Sequence, residues 1–85
     1  MDINKTLEEF IERSRKWGLP EQDYLIAIDF LKHHEIGLAL DHVVTQLYEY
    51  DICIDEEFYQ EVLKITTKLL MPINKYSYLK ELVRE

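Results

Sequence analysis

Hydrophobic residues recur every three or four positions along most of the chain, which is the period of an α-helix. In the first segment this period brings five residues to one side: Leu7, Phe10, Ile11, Ser14 and Trp17. Charged residues occupy the other sides, and Gly18 follows at a position where glycine often ends a helix. We therefore predict a first helix over roughly residues 5–17.

The same period predicts two further helices before residue 51. Pro20 suits the first turn of the second helix, since its missing N–H is not needed there, and Glu21 and Asp23 complement the positive end of that helix. We expect the core side of the second helix to contain Tyr24, Leu25, Ala27, Ile28 and Leu31. Gly37 marks the interruption beside the third helix, which runs through Tyr50 with five apolar positions: Ile36, Leu40, Val43, Val44 and Leu47.

The remaining third of the chain begins with four residues, 51–54, that alternate polar and apolar side chains. Four residues without a pairing partner cannot form a sheet, so we predict an extended connector held by Ile52 and Ile54, with Cys53 half-buried between them. Asp55 is the predicted N-cap of a fourth helix, whose apolar face carries Phe58, Val62, Ile65 and Leu69. We expect Met71-Pro72-Ile73 to end it, and Asn74 to cap a short last helix with Tyr76, Tyr78, Leu79, Leu82 and Val83.

These segments predict an all-α fold, a small bundle of four to five antiparallel helices joined by short loops. A chain of 85 residues is long enough for one core and too short for two. No internal repeat or low-complexity linker divides the sequence. We therefore predict a single domain over residues 1–85.

The residue types offer little for catalysis or for holding a cofactor. Gly18 and Gly37 are far apart, whereas a phosphate-binding loop needs several glycines together. His33, His34 and His42 do not follow the spacing of zinc ligands, and a bundle of this size has little volume for a closed substrate pocket. We predict no catalytic residue, no cofactor, no metal and no enzyme activity.

The charge of the chain limits the partners it can attract. Ten Lys and Arg residues stand against seventeen Asp and Glu residues, a formal net charge of −7. Such a field repels nucleic acid and anionic lipid and attracts a basic protein. The charged N-terminal segment is not a signal peptide, and the single cysteine suits a reducing compartment, so we expect a cytoplasmic protein that binds neither nucleic acid nor membranes.

The acidic charge is concentrated in one part of the sequence. Residues 33–63 contain no Lys or Arg, and they include Tyr48, Tyr50 and Tyr59. Tyrosine beside carboxylates is typical of protein interfaces, because tyrosine offers rigid contact area while charge guides a partner. The alternative is an ordinary solvated face whose tyrosines are half-buried bundle residues. As an interface this segment predicts seven residues that contact a partner protein: Asp41, Tyr48, Glu49, Asp51, Asp55, Glu56 and Glu57.

Three runs in this part of the chain resemble the MafI-like immunity proteins of bacterial toxin systems. They are residues 35–40 (EIGLAL), 46–52 (QLYEYDI) and 54–59 (IDEEFY). The resemblance covers roughly residues 19–85, and its strongest part is the spacing from Gly37 to the tyrosines of the second run.

The resemblance implies a small cytosolic protein that neutralises a polymorphic or contact-dependent inhibition toxin by binding its toxin domain. Several toxins of these systems are nucleases, including RNases of the EndoU type. A nuclease presents a basic cleft to its substrate, and an acidic helical protein is complementary to such a cleft. The alternative of a different class is a non-catalytic helical adaptor or regulatory protein that binds another protein mainly through apolar contacts.

Overall fold

The computed structural model describes residues 2–72 and 74–84, which contain four α-helices and one 3-10 helix. The helices are α1 (Ile3–Trp17), α2 (Glu21–Lys32), α3 (Ile36–Glu49), α4 (Glu56–Lys68) and the 3-10 helix Ser77–Leu82. The described residues form no β-strand, and only the isolated bridge between Ile54 and Val83 pairs extended backbone. The predicted all-α class is confirmed.

The chain divides into two compact units, Met1–Ile52 and Cys53–Glu85. In the first unit α1, α2 and α3 each pack against the other two. The second unit contains α4 in contact with the 3-10 helix. That the 85 residues form a single domain stays a prediction.

Helix α1 begins two residues earlier than the apolar pattern predicts. The Asp2 carboxylate accepts hydrogen bonds from the backbone N–H groups of Asn4 (3.1 Å) and Lys5 (3.3 Å), and so satisfies donors that the helix leaves unpaired. Ser14 is buried, with its hydroxyl donating to the Phe10 carbonyl at 3.0 Å. Trp17, by contrast, is 37% exposed, so its predicted place on the core stripe is wrong.

Helix α2 corrects the predicted core. Leu25 is 56% exposed, while Asp23 is 5% exposed. Successive helical residues are rotated by about 100°, so position 25 lies nearly opposite position 23. Because Asp23 points inward towards α3, Leu25 points to solvent. Ala27 and Leu31 are buried as predicted, whereas Tyr24 and Ile28 are half-buried.

Helix α3 follows the prediction closely. Four of its five predicted apolar positions are buried, namely Leu40, Val43, Val44 and Leu47. Ala39 is buried in addition, and the predicted Ile36 is half-buried. The interruption before it is not made by Gly37, which lies inside the first turn of the helix. The interruption occurs at His34, because its left-handed φ of 61° turns the chain away from α2.

All four α-helices end in the same way, in a residue with positive φ: Gly18, His34, Asp51 and Leu70. In each case the N–H of the next residue bonds the carbonyl five positions back, at 2.9 to 3.0 Å. This pair of features defines a Schellman cap, which glycine forms without steric cost. Only the first cap contains glycine, so only α1 ends at the residue type that normally marks such a cap.

The second unit follows the prediction at the first turn of α4 and differs from it after α4. Asp55 caps α4 as predicted, accepting from the Phe58 N–H at 2.8 Å. Tyr76, rather than Asn74, precedes the 3-10 helix, and no side chain caps it. The predicted role of Ile73 lies outside the described residues.

Ile54 does have a pairing partner, contrary to the prediction of an unpaired connector. Its N–H bonds the Leu82 carbonyl at 3.0 Å, and its carbonyl accepts from the Arg84 N–H at 2.8 Å. Ile54 is buried, whereas the neighbouring Cys53 is exposed rather than half-buried. The pairing residues lie 28 or more positions away in sequence, which is why local pattern did not reveal them.

Candidate protein-binding surface

The exposed side of α3 carries three of the predicted contact residues. We define the α3 face as Leu38, Asp41, Thr45, Tyr48 and Glu49, all of which are exposed. Leu38 is 51% exposed and Tyr48 is 40% exposed, so the face combines apolar surface with carboxylates. These residues lie on the solvent-exposed side of α3, and their role in binding stays a prediction.

Leu38 is a member of this face that the sequence prediction missed. It precedes Asp41 by three positions, the spacing that brings helical side chains to one side. That signal was present, but an isolated leucine in the first turn of an apolar helix is normally assigned to the core.

The C-terminal end of α3 is unusually acidic for a helix end. The other three α-helices each have a Lys or Arg in the last turn, where a cation is favoured by the helix dipole. Helix α3 has none there, and carries Glu49 instead, followed by the exposed Tyr50 and Asp51. These carboxylates lie beside carbonyl groups with partial negative charge, so this end attracts a cation more strongly than the other helix ends.

Of the four remaining predicted contact residues, Asp51 is exposed directly after α3, and three lie at the start of α4, in the second unit. The Asp55 carboxylate is half-buried and bonded to the Phe58 N–H. Glu56 accepts a hydrogen bond from Gln60 at 2.8 Å, and Glu57 is exposed. A helix N-terminus stabilises negative charge, so these carboxylates contribute to folding whether or not they bind a partner.

The predicted tyrosine surface is smaller than the sequence indicates. Tyr48 and Tyr50 are exposed, with Tyr50 at 52%, but Tyr59 is 7% exposed and Tyr76 is 2% exposed. Tyr59 and Tyr76 are therefore core residues of the second unit. The exposed tyrosines of the acidic segment all lie in the last turn of α3 or directly after it.

A polar network beneath Tyr50 connects α3 to α2 and was not predicted. Asp23 Oδ1 lies 3.0 Å from His42 Nε2 and accepts a hydrogen bond from Gln46 Nε2 at 3.1 Å. The same Gln46 nitrogen lies 3.4 Å from the Tyr50 hydroxyl. His42 and Gln46 are one helical turn apart on α3, which is the spacing that lets both reach one carboxylate. The network links α3 to α2 and extends to the Tyr50 hydroxyl.

A second polar cluster connects α1 to α2 on the surface. The Tyr24 hydroxyl donates to Glu12 at 2.6 Å, Arg15 bonds Glu21 at 2.8 Å, and the Arg15 guanidinium lies 4.2 Å from the Tyr24 ring centre. The hydrogen bond to Glu12 raises the pKa of Tyr24 above its usual value, because it favours the neutral hydroxyl. Here acids and bases alternate, unlike on the α3 face.

The described residues provide no group of three His, Cys, Asp or Glu side chains that could hold a metal ion. A shallow cavity of about 330 Å³ lies between the start of α1 and the end of α2, and its rim mixes Lys5 and Lys32 with Asp2 and Glu8. Mixed charge of this kind does not select one class of ligand. None of the helices in the described part of the chain is both long and apolar enough to cross a membrane.

Comparison with protein-family models, with curated proteins and with solved structures finds no match to this chain.

Proposed function

We propose that the protein is a MafI-like immunity protein that binds a cognate bacterial toxin domain in the cytoplasm and neutralises it. The target is a nuclease domain, of which EndoU-type RNases are examples. Inhibition follows from covering the basic cleft of the toxin, so the immunity protein needs no catalytic residue and no cofactor.

The observation that carries the proposal is the exposed acidic and aromatic end of α3. A nuclease must present Lys and Arg residues to bind phosphate groups. Glu49 and Asp51 offer carboxylates to such residues, and Tyr48 offers an exposed ring for an adjacent apolar pocket. Charge of one sign also increases the rate of association with a basic partner.

The first unit has the stronger electrostatic complementarity to such a cleft. Residues 1–52 contain eleven acidic and five basic residues, whereas residues 53–85 contain six acidic and five basic residues. Most of the net negative charge therefore belongs to the unit that contains α3.

The proposal is tested by producing the toxin domain encoded beside this protein in bacteria, with and without the protein. We expect survival with the cognate toxin domain and no protection against an unrelated toxin. Purified protein should also bind the purified toxin domain in titration calorimetry. Growth arrest that is unchanged by the protein, together with no measurable binding, would exclude this function.

Two sets of variants test whether the start of α4 or the end of α3 contacts the toxin. Reversing Glu56 and Glu57 to Lys should cost several kcal/mol of binding if both carboxylates are buried at the contact. The same change should cost about 0.3–1 kcal/mol of folding stability per charge, because the helix dipole favours the native residues. Tyr48→Ala should cost about 2 kcal/mol or more of binding if Tyr48 is a central contact. Helicity measured alongside affinity separates lost contact from lost folding.

A helical adaptor that binds another protein is the alternative function, and the exposed Leu38 favours it. An adaptor interface is mainly apolar, so its affinity changes little with salt, whereas an acidic inhibitor binds more weakly as salt screens the charges. The affinity for the protein that is found to bind, compared at low and high salt, distinguishes the two.

A further inference from the structure

We propose that the α3 face docks a basic amphipathic helix of the partner, with apolar side chains at its two ends and Lys or Arg between them. This inference rests on the proposed function, since it names which surface binds and what part of the toxin it meets. The occupant is defined by its chemistry, and any protein with such a helix would satisfy it.

The spacing of the α3 face favours a helix as the occupant. Leu38, Asp41, Thr45 and Tyr48 recur at intervals of three, four and three residues. This alternation forms a straight seam along which a second helix can pack. At a rise of about 1.5 Å per residue, Leu38 and Tyr48 are separated by about 15 Å along the axis, or roughly three turns of a partner helix.

The order of side chains along the seam specifies the order on the partner. Leu38 and Tyr48 are the apolar ends, and Asp41 and Thr45 are the polar centre. A fully apolar helix would bury Asp41 against hydrocarbon, which is unfavourable. A partner with Lys or Arg opposite Asp41 avoids that cost and gains a charge pair, and a second basic residue can reach Glu49 at the end of the seam.

The charge of the first unit argues against a second copy of this chain as the occupant. Eleven acidic residues against five basic residues would repel an identical unit, and the α3 face itself has no Lys or Arg. An anionic lipid surface is disfavoured for the same reason.

The start of α4 is a weaker candidate for the docking surface than the α3 face. Asp55 is half-buried, whereas Asp41 and Glu49 of the α3 face are exposed. The exposed large hydrophobic side chains in the described residues do not include any in the first turn of α4. The α3 face has two exposed large hydrophobic side chains, Leu38 and Tyr48. Its terminal carboxylate, Glu49, lies at the negative end of the helix dipole, so binding a cation there relieves an unfavourable interaction.

Helix α2 supplies a matched control. Its exposed side carries Leu25, at 56% exposure, and Asp29 one turn later, so it has the same residue types as Leu38 and Asp41. Lys32 follows on that side, and the Asp29 carboxylate lies 3.8 Å from His33. The α2 side is therefore not uniformly acidic, and changes on it should not affect docking.

The test uses a fluorescently labelled synthetic helical peptide with leucines at the two seam ends and lysines between them. Binding to the full-length protein is measured by anisotropy. We expect Asp41→Lys with Glu49→Lys to weaken binding at least tenfold, and Leu38→Ala with Tyr48→Ala to weaken it similarly. Leu25→Ala with Asp29→Lys should change it less than twofold, and a peptide with glutamate in place of lysine should not bind the wild-type protein.

Amide NMR spectra of the protein with the peptide should change along residues 38–49. Equal loss of affinity in the α2 control, changes confined to α4, or unaltered binding by the α3 variants would each overturn the inference. So would a dimer of the free protein that Leu38→Ala dissociates, because the face would then be occupied by a second copy. If the charge-reversed variant loses helicity, Asp41→Asn with Glu49→Gln replaces it, with weaker binding still required.

Toxin neutralisation provides an independent readout. Peptide docking on the α3 face without any protection against the toxin would support the docking surface and exclude the proposed function. Protection that survives the folded α3 variants would support the proposed function and overturn the docking surface.

Discussion

Asp23 Oδ1 on α2 lies 3.0 Å from His42 Nε2 on α3, a contact between two helices whose residues are nineteen positions apart in the sequence. The Asp23 side chain is 7% exposed and the His42 side chain 22% exposed. Gln46 donates to the same carboxylate oxygen, so one buried acceptor holds two side chains of α3. A buried carboxylate is tolerated when it is hydrogen-bonded in this way.

We expect Asp23→Ala to destabilise the protein by about 1.5–3 kcal/mol, because the change removes hydrogen bonds to a charged group and leaves His42 and Gln46 without their shared acceptor. Urea denaturation should show a lower midpoint with an unchanged slope. Glu9→Ala on the exposed side of α1 is the control, with an expected change within about 0.5 kcal/mol. Equal stability of the two variants would show that the network contributes nothing to folding.

We expect Leu70→Gly to stabilise the protein by roughly 0.5–1 kcal/mol. Leu70 has a φ of 59° and is 92% exposed, so glycine removes the cost of a left-handed leucine, about 1–2 kcal/mol, while losing little packing. Part of the gain is offset by the greater chain entropy of glycine in the unfolded state. The thermal midpoint measures the result.

Lys64→Gly is the control for this glycine substitution, because Lys64 is exposed inside the regular part of α4. It should cost about 0.8–1 kcal/mol. Destabilisation by both glycines would contradict the left-handed conformation of Leu70.

We expect the His33 ring to titrate above pH 6.5 in NMR spectra. Its Nδ1 lies 2.8 Å from the Asp29 carbonyl, and this hydrogen bond, followed by attraction to the Asp29 carboxylate, raises the pKa of His33. A raised pKa in the folded state means that protonated His33 favours folding. This contribution is fully present below the unfolded-state value of about 6.5 and is lost as the pH rises through the higher folded-state pKa.

Asp29→Asn separates the two causes of the raised pKa of His33, the backbone hydrogen bond and the attraction to the carboxylate. It removes the carboxylate but keeps the backbone carbonyl, so the pKa of His33 should fall part of the way towards its usual value. A wild-type His33 that titrates at or below pH 6.5 would contradict the observed contact.

We expect Cys53 to react with a thiol reagent in the native protein. The side chain is exposed, so unfolding is not needed for access. The rate of modification in native buffer should be within a few-fold of the rate in denaturant at the same pH, and Cys53→Ser should abolish the signal. A Cys53 that reacts only in denaturant would contradict its exposure and support the half-buried position predicted from its isoleucine neighbours.

The amino-acid sequence by itself determined the helical class, the inward side of α3 and the cap at Asp55. Each depends on residues within one or two turns of one another, and local periodicity records such relationships directly. The acidic character of the chain and the exposed side of α3 were also predictable, because the side opposite a well-defined apolar stripe faces solvent.

The tertiary structure decided which polar residues are buried and by which backbone conformation three of the helices end. In the sequence, Asp23 is an acidic residue in the first turn of α2, where the helix dipole favours negative charge. Only its contacts with His42 and Gln46 show that it is a buried hydrogen-bond acceptor, and that Leu25 therefore faces solvent. His34, Asp51 and Leu70 end their helices in a conformation that glycine usually adopts, so their residue types gave no signal. Burial and backbone strain depend on contacts between distant segments, and these relationships exist only once the chain has folded.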